Sequence, residues 1–361
     1  AVIHGVADLV PGPAVIQAHD WHAALVPVYL RADPELASRA GSVPVVLSIH
    51  NAGYQGDFAP ETVHELGLPQ ALYTIDCLES YGRLNFLKGG LTSCTMAVTV
   101  SPTHAKELRT EEGGFGLHGA FQALGDRLVG ISNGIDQSVW DPATDPDIIT
   151  RFSASRLRGK ATCKQALQRA MGLPVRAEVP VFGMSTRVVS QKGFDLILRS
   201  ARLRDADAQF IFIGHGDPWY EAGLAALAAE RPDAVKVELG FTDELEHVLM
   251  GGIDILLMPS LYEPCGLSQM RAQRYGAPVV GRRVGGISDT VEDGVTGFLF
   301  DAYDSAALDG AVDRALAAFA DRTGWTVMMR QAMGREFGWD RSGALYARVL
   351  EAAAQLVAAR G

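Results

Sequence analysis

Short apolar runs rich in β-branched residues alternate along this chain with longer amphipathic stretches, and no other feature limits its possible folds so strongly. Near-continuous apolar runs are typical of parallel strands that are buried on both faces of a sheet. Strands that alternate with helical segments predict βαβ units, and therefore an α/β protein built on doubly wound parallel sheets. The predicted strands are residues 14–18, 43–49, 95–100, 181–185, 209–213, 235–239, 253–258 and 278–280.

The length of 361 residues corresponds to about two domains. Residues 136–150 contain two Asp-Pro pairs and no clear periodicity, which predicts a connecting loop. The strands before this loop are few for a complete Rossmann-like domain, whereas those after it suffice for one. We therefore expect an incomplete Rossmann-like domain over 1–131, a second Rossmann-like domain over 132–340, and a terminal helix over 341–361 that packs back toward the first. Amphipathic helices are predicted at 102–111, 194–205, 219–230 and 267–275.

Charge and composition exclude several classes of function. A net charge of −10 disfavours general binding to nucleic acid or to an anionic membrane surface. No apolar run approaches the ~18–20 residues of a membrane span. Residues 1–13 contain no export signal, which favours the cytoplasm. The cysteines form no CxxC pair, which disfavours a zinc site; they are Cys77, Cys94, Cys163 and Cys265.

The segment 259–268 (PSLYEPCGLS) is the strongest local signal for chemistry. It follows an apolar strand and precedes a helical pattern, so free backbone N–H groups and the helix dipole would form an anion site there. Glu263 stands just outside this turn, where its carboxylate can accept hydrogen bonds from sugar hydroxyls. Ligands of open α/β sheets bind at such carboxyl ends of strands. Taken alone, Glu263 fits equally well a capping acid before a helix.

Two other strand ends carry groups suited to a phosphate. Arg187 and Lys192 follow the strand 181–185, and two cations at a strand end suit a diphosphate. Gly285 and Gly286 open a helix and offer backbone N–H groups. Taken singly, these features also fit solvated loop cations and an ordinary glycine-rich loop.

Polar residues also end the first two predicted strands. His19 and His22 have a spacing that could ligate a metal, yet no carboxylate or cysteine pattern completes a known metal site. His50 and Asn51 could hold a ligand rich in hydroxyl groups. Dinucleotide binding loses its main support because Trp219 stands where the third glycine of Gly-x-Gly-x-x-Gly would be. The hydrolase pattern Gly-x-Ser-x-Gly is absent from the sequence.

Taken together and in this order, these segments are far more specific than any one of them. The chain resembles bacterial glycogen synthases and plant starch synthases, which are retaining glucosyltransferases of the GT-B architecture. The resemblance covers essentially the whole chain. The matching stretches are AHDWHA at 18–23, SIHNAGYQG at 48–56, SYGRLNFLKGG at 80–90, VTVS at 98–101, GISNGID at 130–136, TRVVSQKGFD at 186–195, GGID at 251–254, PSLYEPCG at 259–266 and GGISDT at 285–290.

The resemblance implies two Rossmann-like domains that face a cleft. It also implies transfer of glucose from ADP-glucose to the non-reducing end of an α-1,4-glucan, with no metal and no cofactor. Among the residues it assigns to catalysis, Arg187 and Lys192 bind the diphosphate, Glu263 holds glucose hydroxyls, and His50 reaches the glucose. It places Asp20 on the acceptor side. The donor-binding residues that it implies are Asn133, Phe241, Cys265, Gly266, Leu267, Ser268, Gly285 and Gly286.

Two departures from the family pattern matter. Many GT-B enzymes carry a second Glu eight positions after the first, where this chain has Arg271. The family also begins with a Lys-x-Gly-Gly-Leu loop, and nothing similar precedes Ala14, so we expect a chain that lacks the family's N-terminal segment. Two alternatives therefore stay open: a non-catalytic fragment that binds sugar nucleotide or glucan, and another GT-B transferase that uses UDP-glucose. The oligomeric state is not predicted.

Overall fold

A computed structural model describes residues 14–40 and 42–359, which divide into two compact units. The N-terminal unit ends at Asn133 and takes up the chain again from Asp340, and the C-terminal unit spans Gly134–Trp339. The expectations about an export signal and a missing N-terminal segment concern residues outside the described part, as do positions 360 and 361 of the predicted terminal helix. No helix of the described ranges is both long enough and apolar enough to cross a membrane.

The N-terminal unit is built on a four-stranded parallel sheet with the order β1-β2-β6-β7. All five residues of β2 are buried, as expected for a central strand with both faces covered. A small antiparallel sheet has the order β3-β5-β4. The strands of this unit are β1 Ile16–His19, β2 Val45–Ile49, β3 Asp57–Phe58, β4 Glu79–Ser80, β5 Arg83–Asn85, β6 Met96–Thr99 and β7 Leu128–Gly130.

Helices cover the faces of the parallel sheet in the N-terminal unit. The terminal helix packs on it through Val349 and Ala353, which lie in one apolar cluster with Val46, Val98 and Ile131. The helices are Asp20–Ala23, Val26–Ala32, Pro34–Ala40, Thr62–Glu65, Phe86–Ser93, Pro102–Glu107, His118–Leu124 and Trp339–Ala358.

The C-terminal unit contains a six-stranded parallel sheet with the order β10-β9-β8-β11-β12-β13. The chain starts at β8, builds outward to β10, and then returns to the other side of β8 with β11. The strand order therefore reverses between β8 and β11, and open α/β sheets bind ligands outside the carboxyl ends of the strands at such a switch point. The strands are β8 Val181–Ser185, β9 Gln209–Ile213, β10 Val235–Glu238, β11 Ile255–Met258, β12 Val279–Arg282 and β13 Gly297–Phe300.

The α/β fold with parallel sheets confirms the predicted fold class. Each predicted strand is present with its ends within two residues, and residues 136–150 contain no helix or strand. The helix predicted over 194–205 is instead broken at Ser200, because Asp309 accepts hydrogen bonds from the Ser200 hydroxyl and the Ala201 N–H. The helices of this unit are Arg158–Ala170, Phe194–Arg199, Arg202–Asp205, Pro218–Glu230, Asp243–Gly252, Ser268–Arg274, Gly285–Thr290, Ser305–Ala320 and Arg322–Met333.

Candidate active site

Two connected cavities of the C-terminal unit lie at the carboxyl ends of β8 and β11. The first, here called the Glu263 chamber, has a volume of about 230 Å³ and is lined by Lys192, Glu263 and the start of helix Ser268–Arg274. The second, the Phe241 chamber, has a volume of about 370 Å³ and contains Arg187 and Phe241 in its wall. The two chambers share three lining residues and so form one cleft; these are Ser185, Thr186 and Ser268.

Glu263 and Lys192 meet in the wall of the Glu263 chamber. Lys192 Nζ donates to Glu263 Oε2 at 2.6 Å, and the hydroxyl of the buried Ser260 donates to the same oxygen at 3.0 Å. Glu263 Oε1 accepts no hydrogen bond from any residue that the structure describes. The carboxylate is therefore held in place through one oxygen, while the other remains able to accept from a bound ligand.

Backbone packing fixes the two loops that carry this pair. Gly193 has φ +79°, and a Cβ there would lie 2.0 Å from the Pro259 carbonyl oxygen, so only glycine permits this approach. The Leu261 N–H donates to the Gln191 carbonyl oxygen at 2.8 Å, and the Gln191 amide donates to the Tyr262 carbonyl oxygen at 3.3 Å. The loop after β8 and the loop after β11 are thus joined directly.

The turn at 266–268 presents backbone donors to the Glu263 chamber. Within the described ranges, the N–H groups of Gly266, Leu267 and Ser268 donate to no other residue. The buried Gln269 amide holds the turn by donating to the carbonyl oxygens of Cys265 at 2.8 Å and Gly266 at 2.9 Å. Gln269 is a positioning residue that the sequence analysis missed. The available signal was a polar glutamine on the buried face of a predicted helix, where it needs hydrogen-bond partners.

Gly285 and Gly286 lie against the outside of the same turn. A Cβ on Gly285 would stand 2.0 Å from the Glu263 carbonyl oxygen, and one on Gly286 would stand 1.9 Å from that of Cys265. The Gly286 N–H donates to the Glu263 carbonyl oxygen at 3.0 Å. These glycines therefore support the loop of Glu263 by close backbone packing. Their predicted contact with the donor stays a prediction.

The Phe241 chamber combines an exposed ring with charged groups. Phe241 is half exposed and lines this chamber, so its ring is accessible to a ligand there. Arg187 is exposed at the end of β8, in the wall of the same chamber. Arg271 and Glu246 also line this chamber.

Arg271, which the family pattern left unexplained, has a structural partner. Its Nη1 donates to both carboxylate oxygens of the buried Glu246 at 2.9 Å, and its guanidinium lies 4.2 Å from the centre of the Trp140 ring. Trp140 in turn stacks on His247 with ring centres 3.9 Å apart. Arg271 is therefore fixed in one position beside the chamber.

A carboxylate and imidazole group lies behind this stack. Asp145, Asp147 and His247 bring potential metal ligands within 4.8 Å of one another. Asp145 Oδ2, however, already accepts from His247 Nδ1 at 2.8 Å and from the Tyr275 hydroxyl. The arrangement is that of a buried hydrogen-bond network, and burial, together with the hydrogen bond to Asp145, raises the pKa of Tyr275.

Ser185, at the carboxyl end of β8, is a second residue that the sequence analysis missed. Its hydroxyl is buried and has no hydrogen-bond partner among the described residues. The residue lines both chambers. An unpaired buried hydroxyl is costly, and one that faces a binding cleft is typical of a group kept for a ligand.

The N-terminal unit carries a smaller polar group at the ends of β1 and β2. Asp20 Oδ1 accepts from the His50 N–H at 2.7 Å, and His19 Nδ1 lies 3.0 Å from His50 Nε2. Asp20 has φ +54°, a strained conformation for a residue other than glycine and one often found at functional sites. Burial and the neighbouring His50 lower the pKa of His19. The structure thus brings Asp20 and His50 together. Asn133 is the last residue of this unit's first segment.

Comparison with known proteins identifies the class to which this chain belongs. The model of the starch synthase catalytic domain matches residues 1–123, and that of glycosyl transferases group 1 matches residues 172–325. The catalytic domain of starch synthase IV from Arabidopsis thaliana, bound to ADP and acarbose, superimposes with a TM-score of 0.88 at 30% identity; the match covers 98% of this chain and 76% of that one. The fold and these matches together define a glycosyltransferase of the GT-B class.

Similarity to individual proteins identifies a narrower family. A glycogen synthase of Anaeromyxobacter sp. is 43% identical over 340 residues, which cover 92% of this chain and 72% of the relative. Glycogen synthase 2 of Geobacter sulfurreducens is 41% identical over 352 residues, covering 95% and 72%. The chain belongs to the glycogen synthase family, which confirms the resemblance drawn from its motifs. A sucrose-phosphate synthase of Thermosynechococcus elongatus, at 20% identity and a TM-score of 0.62, shares the fold alone.

Proposed function

We propose that this enzyme transfers glucose from ADP-glucose to the non-reducing end of an α-1,4-glucan with retention of anomeric configuration. One observation carries the proposal: the Lys192–Glu263 pair stands in a chamber that continues into a second one lined by Arg187 and Phe241. The chambers suit the two ends of a sugar nucleotide. The related starch synthase IV was solved with ADP, which supports an adenine nucleotide as the donor's leaving group.

The leaving diphosphate sets the main chemical demand. Glycosyl transfer passes through an oxocarbenium-like state while negative charge develops on the departing phosphate. Preorganised cations and backbone N–H groups stabilise that charge without a proton transfer. We assign this role to Arg187 and Lys192 together with the N–H groups of Gly266, Leu267 and Ser268, which have no other partner in the described ranges.

Glu263 orients the glucose in this proposal. Its Oε2 is occupied by Lys192 and Ser260, so Oε1 is the oxygen that accepts from sugar hydroxyls. The half-exposed Phe241 ring receives the base. By resemblance to the family, we assign Asp20 to the acceptor and His50 and Asn133 to the transferred glucose. No metal and no cofactor enters the reaction as proposed.

The deciding experiment measures incorporation of labelled glucose into glycogen from ADP-glucose and from UDP-glucose. We expect incorporation from ADP-glucose, and a loss of it in Glu263→Gln with the fold intact. The matched control is Glu351→Gln, which removes an exposed carboxylate on the terminal helix. Faster incorporation from UDP-glucose would overturn the donor assignment. Binding of ADP-glucose without any incorporation would indicate a protein that only binds.

A further inference from the structure

A third cavity of the C-terminal unit lies at the opposite end of the sheet from the cleft. Its volume is about 580 Å³, and Asp254 lies in its wall. Asp254 immediately precedes β11, and its Oδ2 accepts from the N–H of Val181, the first residue of β8, at 2.9 Å. The cavity therefore lies at the amino ends of the strands whose carboxyl ends form the candidate active site.

The wall of this cavity is strongly cationic in an otherwise acidic chain. It contains six cationic side chains and one acidic one, Asp254, which leaves a net charge of +5 against −10 for the whole chain. Asp254 is already paired with Lys164 at 2.7 Å. The six cationic residues are Arg156, Arg158, Lys160, Lys164, Arg322 and Arg330.

The four arginines retain most of their hydrogen-bonding capacity. The side chains of Arg156 and Arg158 form no hydrogen bond or ion pair with any residue in the described ranges, and both residues are exposed. Arg330 donates from Nε to the Ala154 carbonyl oxygen at 3.0 Å, and Arg322 donates from Nη2 to the Glu178 carbonyl oxygen at 2.9 Å. A guanidinium has five N–H donors, so these two arginines keep several for a ligand.

Apolar side chains also line the cavity, and its volume is large enough for a ligand bigger than an inorganic ion. Leu157, Phe319, Trp325 and Met329 contribute to the lining, and Ser155 and Thr326 add hydroxyl groups. The volume falls within the ~300–1,000 Å³ typical of small-molecule sites. Carbon-containing ligands with hydroxyl groups are therefore compatible with the wall.

We propose that this cavity binds a small phosphorylated metabolite with two phosphate groups, separately from the donor cleft. A phosphate monoester carries about −1.5 to −2 charges at neutral pH, so two of them neutralise about three to four of the five excess positive charges, whereas one neutralises at most about two. Arginine suits phosphate because its planar fork can bind two phosphate oxygens at once. The proposal does not depend on the identity of the glucosyl donor.

Isothermal titration calorimetry with fructose 1,6-bisphosphate, fructose 6-phosphate, inorganic phosphate and fructose tests it directly. The bisphosphate should bind most tightly, the two monophosphates at least tenfold more weakly, and fructose not at all. Affinity for the bisphosphate should fall as salt rises. Absence of binding by the bisphosphate at millimolar concentration, or equal affinity for all the anions, would overturn the proposal.

Variants locate the site. The double variant Arg156→Gln/Arg330→Gln should weaken bisphosphate binding at least tenfold, and Arg158→Gln/Arg322→Gln should do the same. All four residues are exposed, so the fold should persist, as circular dichroism would show. Arg348→Gln, which changes an exposed arginine on the terminal helix, should leave binding unchanged. Loss of bisphosphate binding in Lys192→Ala, with retention in the cavity variants, would place the anion in the donor cleft and refute the separate site.

Discussion

Lys192 Nζ lies 2.6 Å from Glu263 Oε2, although 71 positions separate the two residues in the chain. The Lys192 and Glu263 side chains are only 16% and 6% exposed, so each neutralises a charge that would otherwise be poorly solvated. A donor diphosphate would offer Lys192 a second anion, while Glu263 would gain sugar hydroxyls as donors. In the proposed function, this pair holds the cation for the leaving group and the carboxylate for the sugar in contact before the substrate arrives.

Substitution of Glu263 tests the sugar-binding role. We expect Glu263→Ala and Glu263→Gln to lower the rate of glucosyl transfer by roughly 10²–10³, because loss of one charged hydrogen-bond partner costs about 3–4 kcal/mol of transition-state stabilisation. Initial rates with ADP-glucose and glycogen measure the effect, with Glu351→Gln as the control. A variant that keeps near-normal turnover would remove Glu263 from the site.

Arg187 and Lys192 should act on the same diphosphate. We expect Arg187→Ala and Lys192→Ala each to weaken ADP binding, with losses that diminish at high salt because salt screens both contacts. Since both cations meet one ligand, their effects should not be additive. The loss of binding free energy in the double variant should differ from the sum of the two single losses by at least about 0.5 kcal/mol. Calorimetry on the three variants decides this; strict additivity would argue against a shared phosphate site.

Arg271 and Glu246 form a separable structural pair. Arg271→Leu leaves the buried Glu246 carboxylate without its cation, and breaking a buried pair in this way costs about 3–5 kcal/mol of folding free energy. Glu246→Leu/Arg271→Leu should recover most of that loss, because no charge is then left unpaired. Urea denaturation of both variants and the wild type measures the difference. Equal destabilisation by the single and double changes would contradict the pairing.

Ser185 offers a test in which stability and binding move in opposite directions. Ser185→Ala removes a buried hydroxyl without a partner in the described ranges, so the free energy of unfolding should stay the same or rise slightly. If the hydroxyl serves the donor, affinity for ADP-glucose should fall by about 2–10-fold, the value of one neutral hydrogen bond. Thermal melting and calorimetry on one preparation give both numbers. Ser185→Thr, which keeps the hydroxyl, is the matched control, and unchanged affinity in Ser185→Ala would refute the role.

The sequence predicts the fold well where burial dictates the pattern. Residues 181–185 and 209–213 are apolar and fully buried, and both strands have the predicted bounds. The strands Leu128–Gly130 and Gly297–Phe300 were not predicted, because they are short, contain glycine and have few β-branched residues. Such segments become strands through pairing with neighbours, which local propensity does not reveal.

Only part of the candidate site could likewise be predicted from the sequence. Motifs identified Glu263, Lys192 and Arg187, because their residue types and positions after strands carry chemical meaning. The contribution of Ser185 depends on which partners its hydroxyl lacks, and that of Gln269 on two carbonyl oxygens in the preceding turn. Arg271 remained unexplained because its partner Glu246 lies on another helix, 25 positions earlier. Relationships of this kind exist only once the chain is folded.

Lys160 should make the stability of the protein depend on alkaline pH. It is 4% exposed, and burial lowers the pKa of its ammonium group from 10.5 to about 8, with Asp254 partly opposing the shift. Between these two values the unfolded chain binds the proton that the folded chain has released, so this group makes unfolding less favourable as pH rises. The destabilisation that comes from burying the charged ammonium group is fully present below about pH 8 and vanishes above about pH 10.5.

Lys160→Met isolates that contribution, because methionine has a similar length and no charge. The difference between 10.5 and about 8 corresponds to roughly 3 kcal/mol, so the stability of the wild type relative to the variant should improve by up to that amount between pH 7 and pH 10. Neutral lysine still donates to the Met250 carbonyl oxygen, so loss of that bond affects both pH values alike. Urea denaturation at the two pH values, without phosphorylated ligands, measures the change. A stability difference that stays constant with pH would show that Lys160 keeps an ordinary pKa in the folded protein.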